Sequence, residues 1–411
     1  MTARLEQHAV RQDAVMAEAG CWPADSPWVR SAVGALPRHR FAPEVMWRWD
    51  GFRWEAVARG VAEERWASVV YAGPYGPAVT QVEGGLPSSS LSCPSVVADM
   101  LDSLRLQPGH RVLELGTGTG WNAALLAHRA GPGRVTSVEV DPRPAAEAQR
   151  RLRTAGVEVA VHVGDGAAGW RQAAPYDRVI ATYAVDTVPW AWVEQTRPGG
   201  RIVTPWGRLG YVALTVAGDG RSAQGWVQGL GMFMPARGVD QGLELHRVRE
   251  RVREHSPDVR EGPFARPAAG LADGDLLFAL RVLAPEVRIT TRRGPAPTAW
   301  LHDGRESWAR LTDDGSGLTS AVQAGPRRLA DELAVGWARW EQAGRPSLYD
   351  FGLTRTEHAQ WIRSEADGVR RRWNPLRSPR AGTARDSVRR KAGPGLPRGG
   401  PGPGQAPSPS R

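Results

Sequence analysis

The stretch Arg111-Val-Leu-Glu-Leu-Gly-Thr-Gly-Thr-Gly120 constrains the fold of this chain more than any other. Its apolar alternation predicts a buried strand ending at Leu115. Gly116, Gly118 and Gly120 then allow a tight turn and a close approach of backbone to ligand before a helix begins near Trp121. Strand, glycine-rich turn and helix in that order make a nucleotide-binding loop, with Thr117 and Thr119 between the glycines. Such folds hold the ribose with a carboxylate about 20 residues further on. Val135-Thr-Ser-Val-Glu139, followed by Val140, supplies one.

The alternation continues on both sides of this loop. Strands are predicted at Arg111–Leu115, Arg134–Glu139, Glu158–Val163, Asp177–Thr182, Arg201–Pro205 and Tyr211–Val216, with helices at Trp121–Ala130, Pro144–Ala155 and around Val188–Thr196. This is the pattern of an α/β fold with a doubly wound, mainly parallel sheet and ligands at the carboxyl ends of its strands. Glu114, Glu139, Asp165 and the residues near Thr182 fall at such ends. Asp165, between Gly164 and Gly166, also suits an Asx turn. Glu114 lies two residues before the first loop glycine, where a negative charge would repel a pyrophosphate but suit a ligand carrying a sulfonium and an ammonium group. S-adenosyl-L-methionine carries both, so a Rossmann-like class I methyltransferase core is expected.

Upstream, Leu5 to Gly20 and a segment opening at Ser26-Pro27 have helical character, and Leu36 to Pro43 is expected to be extended. The Trp-rich stretch with Trp47, Trp49, Trp54 and Trp66 reads as core cover. Val69 to Pro94 reads as a long functional loop. Pro94 and Ser95 begin a helix whose amino end points the Ser92 region at whatever binds there.

These signals divide the chain into N-terminal helices and a substrate-side loop (1–94), a cofactor-binding core (95–220), a smaller α+β accessory domain (221–370) and a basic Pro/Gly-rich tail expected to be disordered (371–411). The net charge of +10 resides in the last 42 residues, where eleven Arg or Lys face only Asp386. A neutral body with a basic tail does not define a nucleic-acid face, so no nucleic-acid partner is expected. A nucleic-acid-binding protein anchored by the tail is the non-enzymatic alternative. Cys21 and Cys93 match no disulfide or metal spacing, the nine histidines form no metal-ligand cluster, and no apolar leader or membrane-length run occurs. A cytoplasmic protein without metal or membrane partner is expected; oligomeric state is not specified.

Several of these motifs together resemble the protein-L-isoaspartate O-methyltransferase family over roughly Leu5 to Val216. They are Pro37-Arg-His-Arg-Phe-Ala-Pro43, Leu91-Ser-Cys-Pro94, Val112 to Gly120, Val138-Glu139, Gly164-Asp-Gly166, Tyr176-Asp-Arg-Val-Ile180 and Arg197-Pro-Gly-Gly-Arg-Ile-Val-Thr-Pro205. The glycine loop alone fits any class I methyltransferase; the upstream Ser-x-Pro element is more specific. The resemblance implies that Ser92 is the active-site serine, that Ser90, Leu91, Cys93 and Pro94 lie on the substrate side, and that Asp165 and Gly166 flank the adenine. It departs from the family at Cys93, which reads as a small apolar neighbour because no His or Asn arrangement supports a thiolate. Ser92 also fits a helix N-cap. Ser88 to Pro94, Thr204-Pro-Trp-Gly207, Gly344-Arg-Pro346 and Phe351-Gly-Leu-Thr354 are similar to an actinobacterial branch associated with lanthipeptide and graspetide tailoring. The implied partner is a peptide or protein carrying Asp or isoAsp, with general repair and small-molecule methylation as alternatives.

Overall fold

The computed structural model describes residues 2–376 except 208, 241, 256–257 and 367. The basic tail beyond Leu376 lies outside the described residues.

Helices α1 (Thr2–Glu18) and α2 (Trp28–Ala35) precede a four-stranded antiparallel sheet of β1 (Val45–Trp49), β2 (Trp54–Ala58), β3 (Ala78–Glu83) and β4 (Leu86–Leu91), ordered β2-β1-β3-β4. Helix α3 (Glu63–Val70) connects β2 to β3. Arg38–Arg40, expected to be extended, is a 3-10 turn, with the amides of Phe41 and Ala42 both on the Arg38 carbonyl. Of the tryptophans, Trp66 is fully buried whereas Trp49 is half exposed.

The stretch read as loop between Val69 and Pro94 contains the β3–β4 hairpin. Glu83 pairs with Leu86, so Gly84 and Gly85 alone make the turn, with φ of 58° and 83°. Two consecutive left-handed residues match the twist of a tight hairpin, and glycine reaches them without a Cβ clash. A bulge between Val79 and Gln81 disturbs the register and hides the period of two in the sequence.

Helix α4 (Pro94–Leu104) then leads to β5 (Val112–Leu115), α5 (Trp121–Ala130), β6 (Val135–Glu139), α6 (Pro142–Thr154), β7 (Ala160–Val163), β8 (Tyr176–Ala181), α7 (Trp190–Glu194) and β9 (Thr196–Trp206). These five strands are parallel in the order β7-β6-β5-β8-β9. The order reverses at β5, which opens a crevice beyond its carboxyl end. Alternate residues feed opposite cores: Leu113 and Leu115 join one cluster, Val112 the other. β9 starts five residues earlier than expected, and Arg197 to Gly200 leave the ladder as a bulge, since Tyr176 pairs with Thr196 and Arg178 next with Arg201.

The boundary drawn at residue 220 does not divide the architecture. β10 (Gly210–Val216) and β11 (Ser222–Leu230) continue the sheet antiparallel. The chain then builds a five-stranded antiparallel sheet from β12 (Val259–Phe264), β13 (Arg288–Arg292), β14 (Thr298–His302), β15 (Trp308–Asp313) and β16 (Thr319–Ala324), with helices α8 (Leu245–His255), α9 (Gly274–Leu283) and α10 (Leu329–Gln342). It finally returns: β17 (Phe351–Thr356) pairs with β11, and β18 (Gln360–Ala366) and β19 (Val369–Trp373) follow it. The main sheet therefore has ten strands, half of them antiparallel, where a mainly parallel sheet was expected. Arg371 and Arg372, assigned to the tail from sequence, belong to β19. Among the described residues no helix is long and apolar enough to cross a membrane.

Candidate active site

The cleft opens where β5 gives way to Gly116. Gly116, Gly118 and Gly120 have φ of 93°, 53° and 88°, a conformation that favours glycine. A Cβ on Gly116 would collide with the Thr182 hydroxyl and stand 3.0 Å from the Tyr183 ring. Thr182 Oγ1 instead donates to the Gly116 carbonyl at 2.7 Å, tying the loop to the end of β8. Glu139, at the end of β6, accepts from the Gly118 amide at 2.9 Å and is almost buried. Its neighbour Val140 is 49% exposed on the rim. Thr117 shares a 2.6 Å hydrogen bond with Ser137, and Thr119 accepts from the Trp121 amide at 3.4 Å.

Glu114, whose charge was expected to suit a ligand carrying a sulfonium and an ammonium group, is turned inward. It is fully buried, with one oxygen accepting from Asn122 Nδ2 at 2.8 Å and the other from the Ser137 hydroxyl. Burial pushes its pKa up to about 7; the Ser137 and Asn122 hydrogen bonds act the other way and the nearby Glu139 adds to the rise. Glu114 thus ties β5 to α5 through Asn122 and to β6 through Ser137.

Asp165 is exposed and its Oδ1 accepts from the Ala167 amide at 2.8 Å, so the Asx-turn reading describes its geometry. Gly166 has no room for a Cβ because Tyr183 Oη occupies that space, and its carbonyl accepts from Trp192 Nε1 at 2.8 Å. Tyr183 is the residue that sequence reasoning did not single out here. Its ring reaches both Gly116 and Gly166, and burial, with Asp165 and Glu139 nearby, drives its pKa above the ordinary phenol value. Glu139, Tyr183 and the Asp165 turn therefore line one cleft.

The acceptor side is built differently. Cys93, not Ser92, is the N-cap of α4, with Pro94 in its first turn, which removes the N-cap reading of Ser92. Ser92 is half-buried, and among the described residues its hydroxyl makes no hydrogen bond. Its carbonyl accepts from Arg38 Nη1 at 2.6 Å. Arg38 is 1% exposed, also donates to the Val70 carbonyl at 3.1 Å and the Leu91 carbonyl at 3.4 Å, and lies 4.8 Å over the Trp121 ring. Burial lowers its pKa to about 10, with partial compensation from Tyr71 and Cys93. Trp121 directly follows Gly120 and donates from Nε1 to the Leu36 carbonyl at 2.9 Å. One buried cation thus fastens the Ser92 loop to the residue that ends the glycine loop, placing both on one side of the molecule. Ser90 pairs with Val79 and Leu91 with Ala78 on the hairpin leading there; Leu91 and Pro94 are buried and Cys93 half-buried. Arg38 lies in the Pro-punctuated stretch, but nothing in its sequence distinguishes it from the many surface arginines.

The C-terminal region braces the cleft rim. Arg281 of α9 stacks 4.7 Å over Trp206 and donates to Asp186 at 2.8 Å. Gln360 of β18 accepts from the Val188 amide at 2.9 Å and donates to the Asp186 carbonyl at 2.8 Å, while Arg355 of β17 donates to the Val188 carbonyl at 2.6 Å. The loop after β8 is thereby held from outside. Across the cleft, Arg237 joins Asp141 (2.7 Å), two residues past Glu139, to Gln81 of the substrate-side hairpin (2.9 Å).

Five parallel strands in this order, a glycine loop at the switch point and a carboxylate at the end of the adjacent strand define a Rossmann-like class I methyltransferase, whose cofactor is S-adenosyl-L-methionine. The residues suit that group: Gly116, Gly118 and Gly120 hold the loop in a left-handed conformation ahead of α5, and the almost buried Glu139 carboxylate accepts from the Gly118 amide at the end of the adjacent strand. Residues 54–226 match the model of the family described as protein-L-isoaspartate(D-aspartate) O-methyltransferase. A protein-L-isoaspartate O-methyltransferase 1 from Archaeoglobus fulgidus is 34% identical over 215 residues, 51% of this chain and 85% of that protein. The chain belongs to the protein-L-isoaspartate O-methyltransferase family. A protein-L-isoaspartate O-methyltransferase from Pyrococcus horikoshii is 44% identical over 119 residues, 29% of this chain, and the matched part spans 54% of that relative's length. A solved structure titled protein-L-isoaspartate O-methyltransferase shares the fold with a TM-score of 0.50 at 23% identity, covering 86% of this chain and 98% of its own.

Proposed function

We propose that this protein methylates a peptide or protein carboxylate, of L-isoaspartate or aspartate, using S-adenosyl-L-methionine. The observation that carries the reading is the Arg38 tie: it holds an unengaged serine hydroxyl beside the end of the donor loop. The donor supplies an electrophilic methyl group on a sulfonium. Glu139 is assigned to the ribose, and Tyr183 with the Asp165-Gly166 turn to the adenine side.

A carboxylate is ionised at neutral pH, so its oxygen attacks the methyl carbon without a general base while the sulfur–methyl bond breaks. The work left to the protein is alignment and exclusion of water. Ser92 is assigned to donate a hydrogen bond to the acceptor carboxylate and orient the attacking oxygen. The amino end of α4 favours the same negative charge. The methyl ester is an electrophile for the following backbone amide, and closure to a succinimide releases methanol.

The finer reading is tailoring of a ring-constrained peptide, supported by the sequence patterns around Ser88–Pro94 and Phe351–Thr354. The C-terminal extension is not a mark of tailoring by itself, since a chain titled as the isoaspartate enzyme shares the fold over most of this length. Mass spectrometry after incubation with the cofactor tests both levels. A gain of one methyl on an isoaspartyl peptide, followed by loss of methanol, supports carboxyl methylation; faster turnover of a cyclised Asp peptide than of the linear isoaspartyl peptide supports tailoring. No methyl gain on either peptide overturns the proposal.

A further inference from the structure

The end of the parallel sheet away from the glycine loop carries a second recess, of about 310 Å³, that the proposed reaction does not use. The carboxyl ends of α4 and α5 bring Arg105 and Arg129 to it, β9 just past its bulge brings Arg201, and Trp28 and Gln228 help form its walls. Arg178, at the start of β8, stands beside it and donates twice to the Arg105 carbonyl, at 3.2 and 3.0 Å.

The ordinary explanation of arginines here is helix capping. Arg201 donates to the Ser103 carbonyl and Arg129 to the Leu106 carbonyl at 3.2 Å, so both serve the last turn of α4 and the residues just beyond it. A helix end carries only about half a negative charge. Four full positive charges exceed that, and among the described residues none of Arg105, Arg129, Arg178 and Arg201 has a carboxylate within ion-pair distance. Asp25 and Asp102 line the recess without pairing with them, and the nearby Asp177 is taken by Arg197 at 2.6 Å. The crowding is electrostatically felt: burial first, then Arg105 and Arg178, lower the pKa of Arg201 to about 10, with Asp102 acting the other way. Arg105 adds a backbone argument. It occupies the C-cap of α4 at φ 51°, where glycine is the unstrained choice, so its side chain is kept at a conformational cost.

We infer that this recess binds a phosphorylated small molecule of nucleotide size, separately from the methyl-donor cleft. Its volume suits such a ligand. The guanidiniums of Arg105, Arg129 and Arg201 match phosphate oxygens, Arg129 being steadied 5.6 Å over the Trp28 ring in the wall, and Asp25 and Asp102 accept from ligand hydroxyl or amino groups.

The test is calorimetric titration of the full chain with ADP at about 0.15 M salt, where exposed charges are screened beyond roughly 8 Å. The donor cleft is first saturated with S-adenosylhomocysteine, so that the adenosine half of ADP cannot report on it. Binding of ADP to the saturated protein is expected, at least tenfold tighter than binding of adenosine. Arg105→Gly removes one guanidinium while relieving the left-handed backbone, so the fold is retained; this variant should bind ADP at least tenfold more weakly and S-adenosylhomocysteine as before. Absence of ADP binding to the saturated protein, equal affinity for adenosine, or undiminished affinity in Arg105→Gly overturns the inference. Binding of a single-stranded RNA but not of ADP overturns it as well.

Discussion

The donor loop and the acceptor loop face the same cleft but are held by different means. Gly116 to Gly120 is shaped by its own backbone conformation and by neighbours at the ends of β6 and β8, namely Glu139 and Thr182. Leu91 to Ser92 is held by Arg38, more than fifty residues earlier in the chain, whose guanidinium spans three carbonyls and the Trp121 ring. A binding loop for a common cofactor is thus encoded locally. The placement of the acceptor depends on one buried charge.

Removing that charge should separate the two loops most sharply. Arg38→Met takes the guanidinium donor from the Val70, Leu91 and Ser92 carbonyls and, at roughly 1–3 kcal/mol for each stranded group, is expected to cost about 3–5 kcal/mol of stability, measured by denaturant unfolding. Arg38→Lys, which cannot span the same fork, should recover part of the stability while kcat stays depressed and the affinity for S-adenosylhomocysteine stays near wild type. Equal losses of kcat and cofactor affinity in the Lys variant would mean that the loops are not separately held.

On the donor side, Glu114 gives the next largest effect. Its carboxyl is raised in the folded state, so folding takes up protons between the ordinary value of about 4.5 and about 7, and stability falls as pH rises through that window. A rise of this size corresponds to about 3 kcal/mol. Glu114→Gln should flatten the pH dependence and be the more stable protein at pH 8 in thermal unfolding. A wild-type melting temperature that is constant from pH 5 to pH 8 would contradict the burial described for this group. Glu139→Ala is expected to weaken cofactor binding by about 2 kcal/mol, read by calorimetry, through loss of a charged hydrogen-bonding partner. Ser92→Ala should lower kcat/KM by about 1–2 kcal/mol, roughly tenfold, with cofactor affinity unchanged. Full activity in Ser92→Ala would move acceptor recognition elsewhere.

The same contrast explains what could be read from the sequence. Helix α5 runs over the predicted residues Trp121–Ala130, and β5, β6 and β8 lie within a residue or so of their predicted ends, because apolar period and loop glycines are short-range signals. The β3–β4 hairpin was hidden by its Gly, Pro and Ser content and its bulge, although Gly84-Gly85 between Glu83 and Leu86 carried a turn signal. Arg38 and Tyr183 were missed because burial, not residue type, gives them their positions. Glu114 was found, but its direction was misread: nothing in a strand motif says that Asn122 and Ser137 will take both oxygens. The return of β17 to β11 was also illegible, since more than 120 residues separate the partners and pairing depends on where the intervening sheet leaves the chain.

That return has a practical consequence. Between its neighbours β10 and β17, β11 is an interior strand; a chain cut just after it, at Leu230, would turn it into a nine-residue open border with unpaired amides and carbonyls. Such borders recruit strands from other molecules. Such a cut would also remove the Arg355 and Gln360 grip on the rim, so a fragment ending at Leu230 should self-associate before it can be assayed.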